Sequence, residues 1–356
     1  ADNLEVLPQN PEAAVEWFAR RLDVEQHLES FMTFVRANTT KAVKSLLEIF
    51  VSLAFDLFVA WTFSRFRGAC LPAPVCLRKP FPAPCKVHTA LSIYCDLCAA
   101  PQRSVAKKFA PFVRDEAERQ ELYRLVQDRE AYQVLLDGRI SLQDFFELFL
   151  ASADLDISIF LQLCQRQKNR PYTIASSSKE DSSRIGICVS MVQEQTQSLE
   201  EVLQKLKQHG FQPPRAASYL QQLGACASQP RRFRGLCSEM LCMRTTRNEK
   251  LWIAARASSF RLPKRSTTPI IMLGAGTGLA PFRGFVREFQ AEKGSRSRTV
   301  LFFGCTKRDE DFIYREELEG AASADPPALK ELITAFSREQ KEKIYVQHRL
   351  KERGEE

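Results

Sequence analysis

A chain of 356 residues, 44% of them hydrophobic, is long enough to bury a substantial core and to divide into two or three domains. Its formal charge of +8 arises from 51 Lys and Arg against 43 Asp and Glu, is spread along the chain, and favours anionic ligands in general. Neither a zinc-finger spacing nor another nucleic-acid motif accompanies the bunched Arg231, Arg232 and Arg234, and His27, His88, His209 and His348 are too isolated for a metal site or a Ser-His-Asp hydrolase.

The opening ADNLEVLPQN reads as a strand and turn, not a secretory signal, and 11–22 then carries Val15, Phe18 and Leu22 at helical spacing. Leu46 to Phe63 is nearly long enough to cross a bilayer but contains Glu48 and Asp56, each costly at mid-membrane. Residues 39–77 as a whole fit nothing around them, and they read as an apolar insertion translated from an unremoved pyrimidine-rich intron. From Pro80 to about Leu163 periodic runs such as VAKKFAPFV and LQDFFELFLA predict an all-helical segment, IYCDLC included, with Cys95 and Cys98 as buried small hydrophobes rather than half a zinc site. Eleven cysteines without a disulfide framework suit a reducing, cytosolic compartment.

Between Arg170 and Pro263 the texture changes to short β-type runs, YTIAS, IGICVSMV and LWIAA, which suit a small barrel. The last ninety residues alternate PIIMLG, a glycine turn, a helix over 279–292, TVLFFG, a helix near 311–318, ELITAF and a third helix: a β-α-β-α-β-α series suited to a parallel sheet.

Four segments carry chemistry. In TTPIIMLGAGTGLAPFRGF a strand ends in Gly274, Gly276, Thr277 and Gly278 and a helix follows, which lets backbone approach a pyrophosphate beside helix N–H donors. The spacing is GxGxG rather than GxGxxG, and a tight strand-to-helix turn gives the same pattern. Two strands later, Ser337 with Arg338 and Lys343 offers the hydroxyl and cations a 2'-phosphate needs, and Tyr345 a face for adenine; this favours NADPH over NADH. In RPYTIASSS, Arg170 can neutralise a flavin pyrophosphate, Tyr172 offers a plane for the isoalloxazine, and the Thr173 hydroxyl can reach the flavin edge. RGLCSEML adds Gly235 and Ser238 as a second anion site at a helix start.

Taken in order, RxY(S/T), a GxCS segment, GxGTGxAPFRG, FFGC and SRxxxxKxYxQ resemble the NADPH–flavin reductase half of the diflavin reductases, over most of the chain except the apolar insertion. Within that family VLPQN, RGLCS, FFGC with RDEDF, and YVQHRL lean towards the cytosolic NADPH-dependent branch of iron–sulfur protein assembly, while AFSREQ resembles the cytochrome reductases equally. The resemblance implies an antiparallel FAD-binding β-barrel begun by 1–30 and completed by 166–265, a helical connecting insert over 80–165, and a ferredoxin-reductase-like parallel α/β NADP-binding domain over 266–356, truncated at its C-terminus. It further implies that Arg170, Tyr172, Thr173, Cys188, Val189, Gly235, Cys237 and Ser238 line FAD. Gly276, Thr277, Ser337, Arg338, Lys343, Tyr345 and Gln347 would hold NADPH. The family's reaction is hydride transfer to FAD, then single-electron steps through FMN, held in a flavodoxin-like domain outside this chain, to an iron–sulfur assembly protein or a haem protein. Thr173 takes the place of the hydroxyl near flavin N5, usually Ser. The family's later cysteine, acidic residue and terminal aromatic find no counterpart, so a non-catalytic FAD-binding fragment is one alternative, and a membrane-associated NADPH–cytochrome reductase of the endoplasmic reticulum another.

Overall fold

The computed structural model describes residues 1–34, 81–246, 249–292 and 298–354, and the backbone of 49–53 and 57–60. Its strands in chain order are β1 (Asn3–Leu7), β2 (Phe31–Phe34), β3 (Ile49–Leu53), β4 (Leu57–Ala60), β5 (Cys85–Lys86), β6 (Arg170–Thr173), β7 (Gln193–Thr196), β8 (Arg231–Arg234), β9 (Trp252–Arg256), β10 (Ile270–Ala275), β11 (Thr299–Cys305) and β12 (Glu331–Phe336). Of the apolar stretch 39–77 only β3 and β4 fall within the described residues. They pair antiparallel with each other, and β3 also pairs with β2, which suits their β-branched and aromatic composition. The chain forms two compact units, one of Ala1–Leu7, Asn169–Met191 and Leu241–Glu356, the other of Pro8–Lys168 and Val192–Met240.

The second unit is mainly helical. Helix Leu142–Phe149 starts at a capping box, in which the Ser141 hydroxyl accepts from the Asp144 amide and the Asp144 carboxylate accepts from the Ser141 amide. Its Leu142, Phe145, Phe146 and Phe149 recur at helical spacing and are all buried. Phe146 meets Phe18, Phe109 and Phe160 within 5.4–6.1 Å of ring centres, so the helices Glu12–Arg21, Arg103–Phe109 and Ile157–Leu163 share one aromatic core.

IYCDLC is not helical throughout. A helical turn with π pairing ends at Tyr94, and Cys95 is extended in a bridge with Arg166. The Asn10 amide draws off the carbonyls of Leu91 and Cys95, and Gln167 N–H takes that of Tyr94, leaving the helix nothing to continue with. Cys95 is buried and Cys98 half-buried.

The stretch 166–265 is divided between the units. Val192–Met240 contributes helix Leu199–Gln208, whose Leu199, Val202, Leu203 and Leu206 are buried in the helical unit's core, and helix Ala216–Leu223 with buried Tyr219. IGICVSMV forms no strand; it makes one bridge, Ile174 with Ile187, and leaves Ile185 and Val192 exposed, since no core faces its apolar side. The β strands here, β7 and β8, pair antiparallel with each other. In the first unit β6, β1 and β9 form an antiparallel sheet in that order. Among the described residues these are open sheets.

The same unit holds the parallel sheet β10-β11-β12. β11 is buried along its whole length between helices on both faces, which explains its continuous run TVLFFGC. Helix Ala280–Ala291 contributes Phe285, Val286 and Phe289 to the core of this sheet, and the Cβ that Gly304 lacks would sit 3.3 Å from Val346 of the helix Val346–Glu352. In place of one helix near 311–318 there are two, Arg308–Asp311 and Arg315–Ser323, broken where Tyr314 adopts φ 56°.

Candidate functional site: the rim of the parallel sheet and the exit of β6

Parallel pairing aligns Ala275 with Gly304 and Cys305 with Phe336, so all three strands end along one rim, the edge at which open α/β sheets receive ligands. Each glycine of the first turn has its own reason. A Cβ on Gly274 would meet Phe282, Gly278 and Leu279 at 3.2–3.3 Å, so this position is held small by packing. Gly276 sits at φ 51°, which L side chains rarely adopt, and nothing lies within 4 Å of the Cβ it lacks. Gly278 is open in the same way, and Thr277 is exposed between them. A phosphate can therefore reach this backbone directly, and the turn leads into helix Ala280–Ala291.

At the end of β11 the Asp311 carboxylate accepts from the Thr306 and Lys307 amides at 2.7–2.9 Å. Burial, followed by the nearby Asp311 carboxylate, pushes the Cys305 thiol up to about 12, so it is inert at neutral pH. At the end of β12 the amide and hydroxyl of Ser337 both donate to the Cys305 carbonyl, at 3.0 and 3.3 Å, and the Arg338 amide donates to Thr306. The neighbouring cations Arg308, Arg315, Arg349 and Arg353 are all ion-paired. Arg338 and Lys343 are exposed and make no ion pair among the described residues. Tyr345 is exposed, with its amide donating to His348 Nδ1, and Gln347 is exposed beside it. The rim thus carries a glycine turn, a serine and an arginine outside any ion pair among the described residues, with Lys343 in the loop that follows.

In the same unit Arg170, Tyr172 and Thr173 lie half-buried on β6, paired with β1. The Thr173 hydroxyl donates to Asn3 Oδ1 at 3.3 Å, which orients it from the neighbouring strand. Cys188 and Val189 are half-buried just after the Ile174–Ile187 bridge. Burial pushes the Cys188 thiol up, while a hydrogen bond with Tyr314 and the Arg283 charge pull it back.

Gly235, Cys237 and Ser238 belong to the helical unit. The Ser238 hydroxyl, 5% exposed, accepts from the Val192 amide at 3.1 Å and donates to the Gly235 carbonyl at 3.0 Å. A Cβ on Gly235 would fall 2.9 Å from Val192, and the Gly235 amide donates to the Val192 carbonyl, so this glycine permits a close chain crossing. The helix here spans only Leu236–Glu239, and Cys237 is buried in it. Ser238 thus pins the crossing rather than presenting its hydroxyl outward.

Sequence reading gave no role to Asp311 or Arg283. Arg283 stands within APFRG, in the first turn of the helix that follows the glycine turn, where a cation opposes the helix dipole and so calls for a partner.

Two families match the chain. Residues 1–203 match the FAD binding domain family and residues 272–356 the oxidoreductase NAD-binding domain family. Similar proteins include the NADPH–cytochrome P450 reductases of Musca domestica (33% identical over 284 residues, 77% of this chain and 37% of the relative), Cavia porcellus (34% over 286 residues, 77% and 37%) and Emericella nidulans (30% over 297 residues, 79% and 40%). The chain therefore spans about two fifths of the length of these relatives. It belongs to the diflavin reductase family and corresponds to the FAD- and NADPH-binding half. FAD and NADPH are its cofactors, and the open backbone at Gly276 and Gly278, with Arg338 and Lys343 outside any ion pair among the described residues, fits the second of them.

Proposed function

We propose that this chain is the part of an NADPH-dependent flavoprotein reductase that takes electrons from NADPH onto FAD and passes them, through an FMN-binding flavodoxin-like domain in cis or in trans, to a protein acceptor. The observation that carries this reading is the rim itself: Ser337 with the uncommitted Arg338 and Lys343, on the same edge as the open Gly276 turn. A 2'-phosphate is the anion that such a hydroxyl and pair of cations suit.

When bound, NADPH supplies a hydride and FAD accepts it and releases electrons singly to the next carrier. The chain's own residues bind and orient. Gly276 and Thr277 admit the dinucleotide pyrophosphate; Ser337, Arg338 and Lys343 take the 2'-phosphate; Tyr345 and Gln347 flank the adenine end. Arg170, Gly235, Cys237 and Ser238 are assigned to the FAD phosphates and their surroundings, Tyr172, Cys188 and Val189 to the flavin ring, and Thr173, oriented by Asn3, to the flavin edge where reduction occurs. In this reading 1–30 and 166–265 build an FAD-binding barrel, 80–165 a connecting insert and 266–356 the NADPH domain.

For the acceptor we favour a cytosolic iron–sulfur assembly protein, on the runs VLPQN, RGLCS, RDEDF and YVQHRL. A cytoplasmic setting suits eleven cysteines without a disulfide framework. A haem protein, with membrane association, is the second reading, and the relatives named NADPH–cytochrome P450 reductase favour it. No described helix is long and apolar enough to cross a membrane. The test is anaerobic spectroscopy of the chain reconstituted with FAD, before and after stoichiometric NADPH. Bleaching of the bound flavin is the expected result; flavin that stays oxidised with NADPH yet reduces with dithionite overturns the electron-transfer reading for this chain.

A further inference from the structure

Arg283 lies in the helix that follows the glycine turn, and its guanidinium is committed on four sides. Nε and Nη2 donate to the two carboxylate oxygens of Glu317, each at 2.9 Å, as a bidentate fork. Nη1 donates to the Ala175 carbonyl at 2.8 Å, two residues beyond Thr173. The plane stacks over the Tyr314 ring, 4.2 Å from its centre. Only 15% of the side chain is exposed.

What Arg283 holds is the exit of the flavin strand. Ala175 N–H donates to the Gly186 carbonyl and Gly186 N–H to Ser176 Oγ, so 174–176 and 186–187 run together into Cys188. The next helix residue adds an independent observation. A Cβ on Gly284 would meet Ser176 O at 3.2 Å, Ile174 O at 3.4 Å and Ala175 C at 3.5 Å, so the backbone of 174–176 lies directly on the helix where there is no side chain. Tyr314, hydrogen-bonded to Cys188, reaches that place through a left-handed backbone, which in a non-glycine residue persists only where surrounding contacts impose it.

We propose that Arg283 is a positioning residue: with Gly284, Tyr314 and Glu317 it fixes the flavin-side segment Thr173–Cys188 in register with the dinucleotide turn Gly276–Gly278, setting the approach of nicotinamide to flavin without touching either. The inference rests on the assignment of these two segments to FAD and NADPH. Such registration matters because donor and acceptor must approach to within van der Waals contact, and a shift of about 1 Å can cost about 100-fold in rate. Lys179 with Glu288 and Glu292, and Arg287 with Glu180, also join this segment to the helix, and Arg283 is the least exposed of the cations that do so.

The test compares the whole chain, reconstituted with FAD, with its Arg283→Met, Arg283→Lys and Tyr314→Phe variants. FAD and NADP+ affinities are measured by calorimetry, and the change that NADP+ produces in the visible absorption and circular dichroism of the bound flavin is recorded. In Arg283→Met both affinities are expected to stay within about threefold, while the NADP+-induced flavin signal falls by about fivefold or more. Arg283→Lys recovers part of the signal, since an amine reaches Glu317 or Ala175 but cannot fork. Tyr314→Phe, which keeps the ring beneath the guanidinium and loses the link to Cys188, gives a smaller drop and carries the test if the Met variant fails to fold. A flavin signal unchanged in all three variants overturns the proposal, as does a wild-type chain that binds both ligands with no signal. A wild-type chain that binds no FAD sinks the cofactor reading first, and the positioning role with it.

Discussion

Arg338 and its neighbours show how much one residue's lack of a partner decides. Arg308 and Arg349 nearby are ion-paired, whereas Arg338 makes no ion pair among the described residues, so its guanidinium is available to a ligand at no cost in broken ion pairs. If Arg338 takes the 2'-phosphate as proposed, replacing it with Ala removes one charge-assisted hydrogen bond, worth about 1.5–3 kcal/mol, and is expected to weaken NADP+ binding about tenfold or more while NAD+ binding stays nearly unchanged. Parallel titrations with the two nucleotides decide it; equal loss for both refutes the 2'-phosphate assignment. Asp311 makes a prediction in pH. Burial opposes its ionisation, but the amides of Lys307 and Thr306 outweigh it and hold the carboxyl below its ordinary 3.8. A depressed carboxyl stabilises above the unfolded value and loses that contribution as pH falls through the folded one. Thermal melts should therefore drop as pH is lowered below 3.8, and Asp311→Asn, less stable at neutral pH, should show a shallower drop; equal slopes would show that the carboxylate's amide bonds contribute nothing. At the strand ends glycine, serine and cation fall at fixed offsets from apolar runs, which is why sequence alone marks these positions as candidates. The hydrogen bond of Ser238 was not legible, since sequence marks a hydroxyl near a helix start but not that the amide of Val192, 46 residues earlier, will donate to it.

At the scale of elements, periodicity located the helices of 103–163 and the three parallel strands, because each repeats its apolar spacing over several turns or along a whole buried strand. It failed where short runs carry apolar residues without a core to face. IGICVSMV alternates well enough for a strand, yet Ile185 and Val192 are exposed. Helix Leu199–Gln208 went unread although its signal is explicit: Ser198 and Glu201 form a capping box ahead of Leu199, Val202, Leu203 and Leu206. Ser198→Ala should lower stability by about 1 kcal/mol, and Glu201→Gln by less, since the amide retains an acceptor. Urea denaturation monitored by far-UV circular dichroism measures both; a Ser198 variant as stable as wild type removes the cap from the account of this helix.

The whole molecule is woven rather than strung. The chain passes between its two units after residues 7, 168, 191 and 240, so neither unit is one continuous segment. Residues 8–168 alone lack Leu199, Val202, Leu206, Phe211 and Tyr219, all members of the helical unit's core. Expressed alone, that segment is expected to melt without a cooperative transition, and the chain carrying 192–240 as well to regain one; a sharp calorimetric transition in 8–168 by itself overturns this.

Weaving of this kind also governs inheritance. In a protein whose units follow one another along the gene, recombination can exchange one and leave the other intact. Here a single crossover anywhere between codons 8 and 240 leaves at least one unit with parts of two parents. The two units are therefore transmitted, lost and replaced together, and a chimaera that respects them must be cut at four places at once.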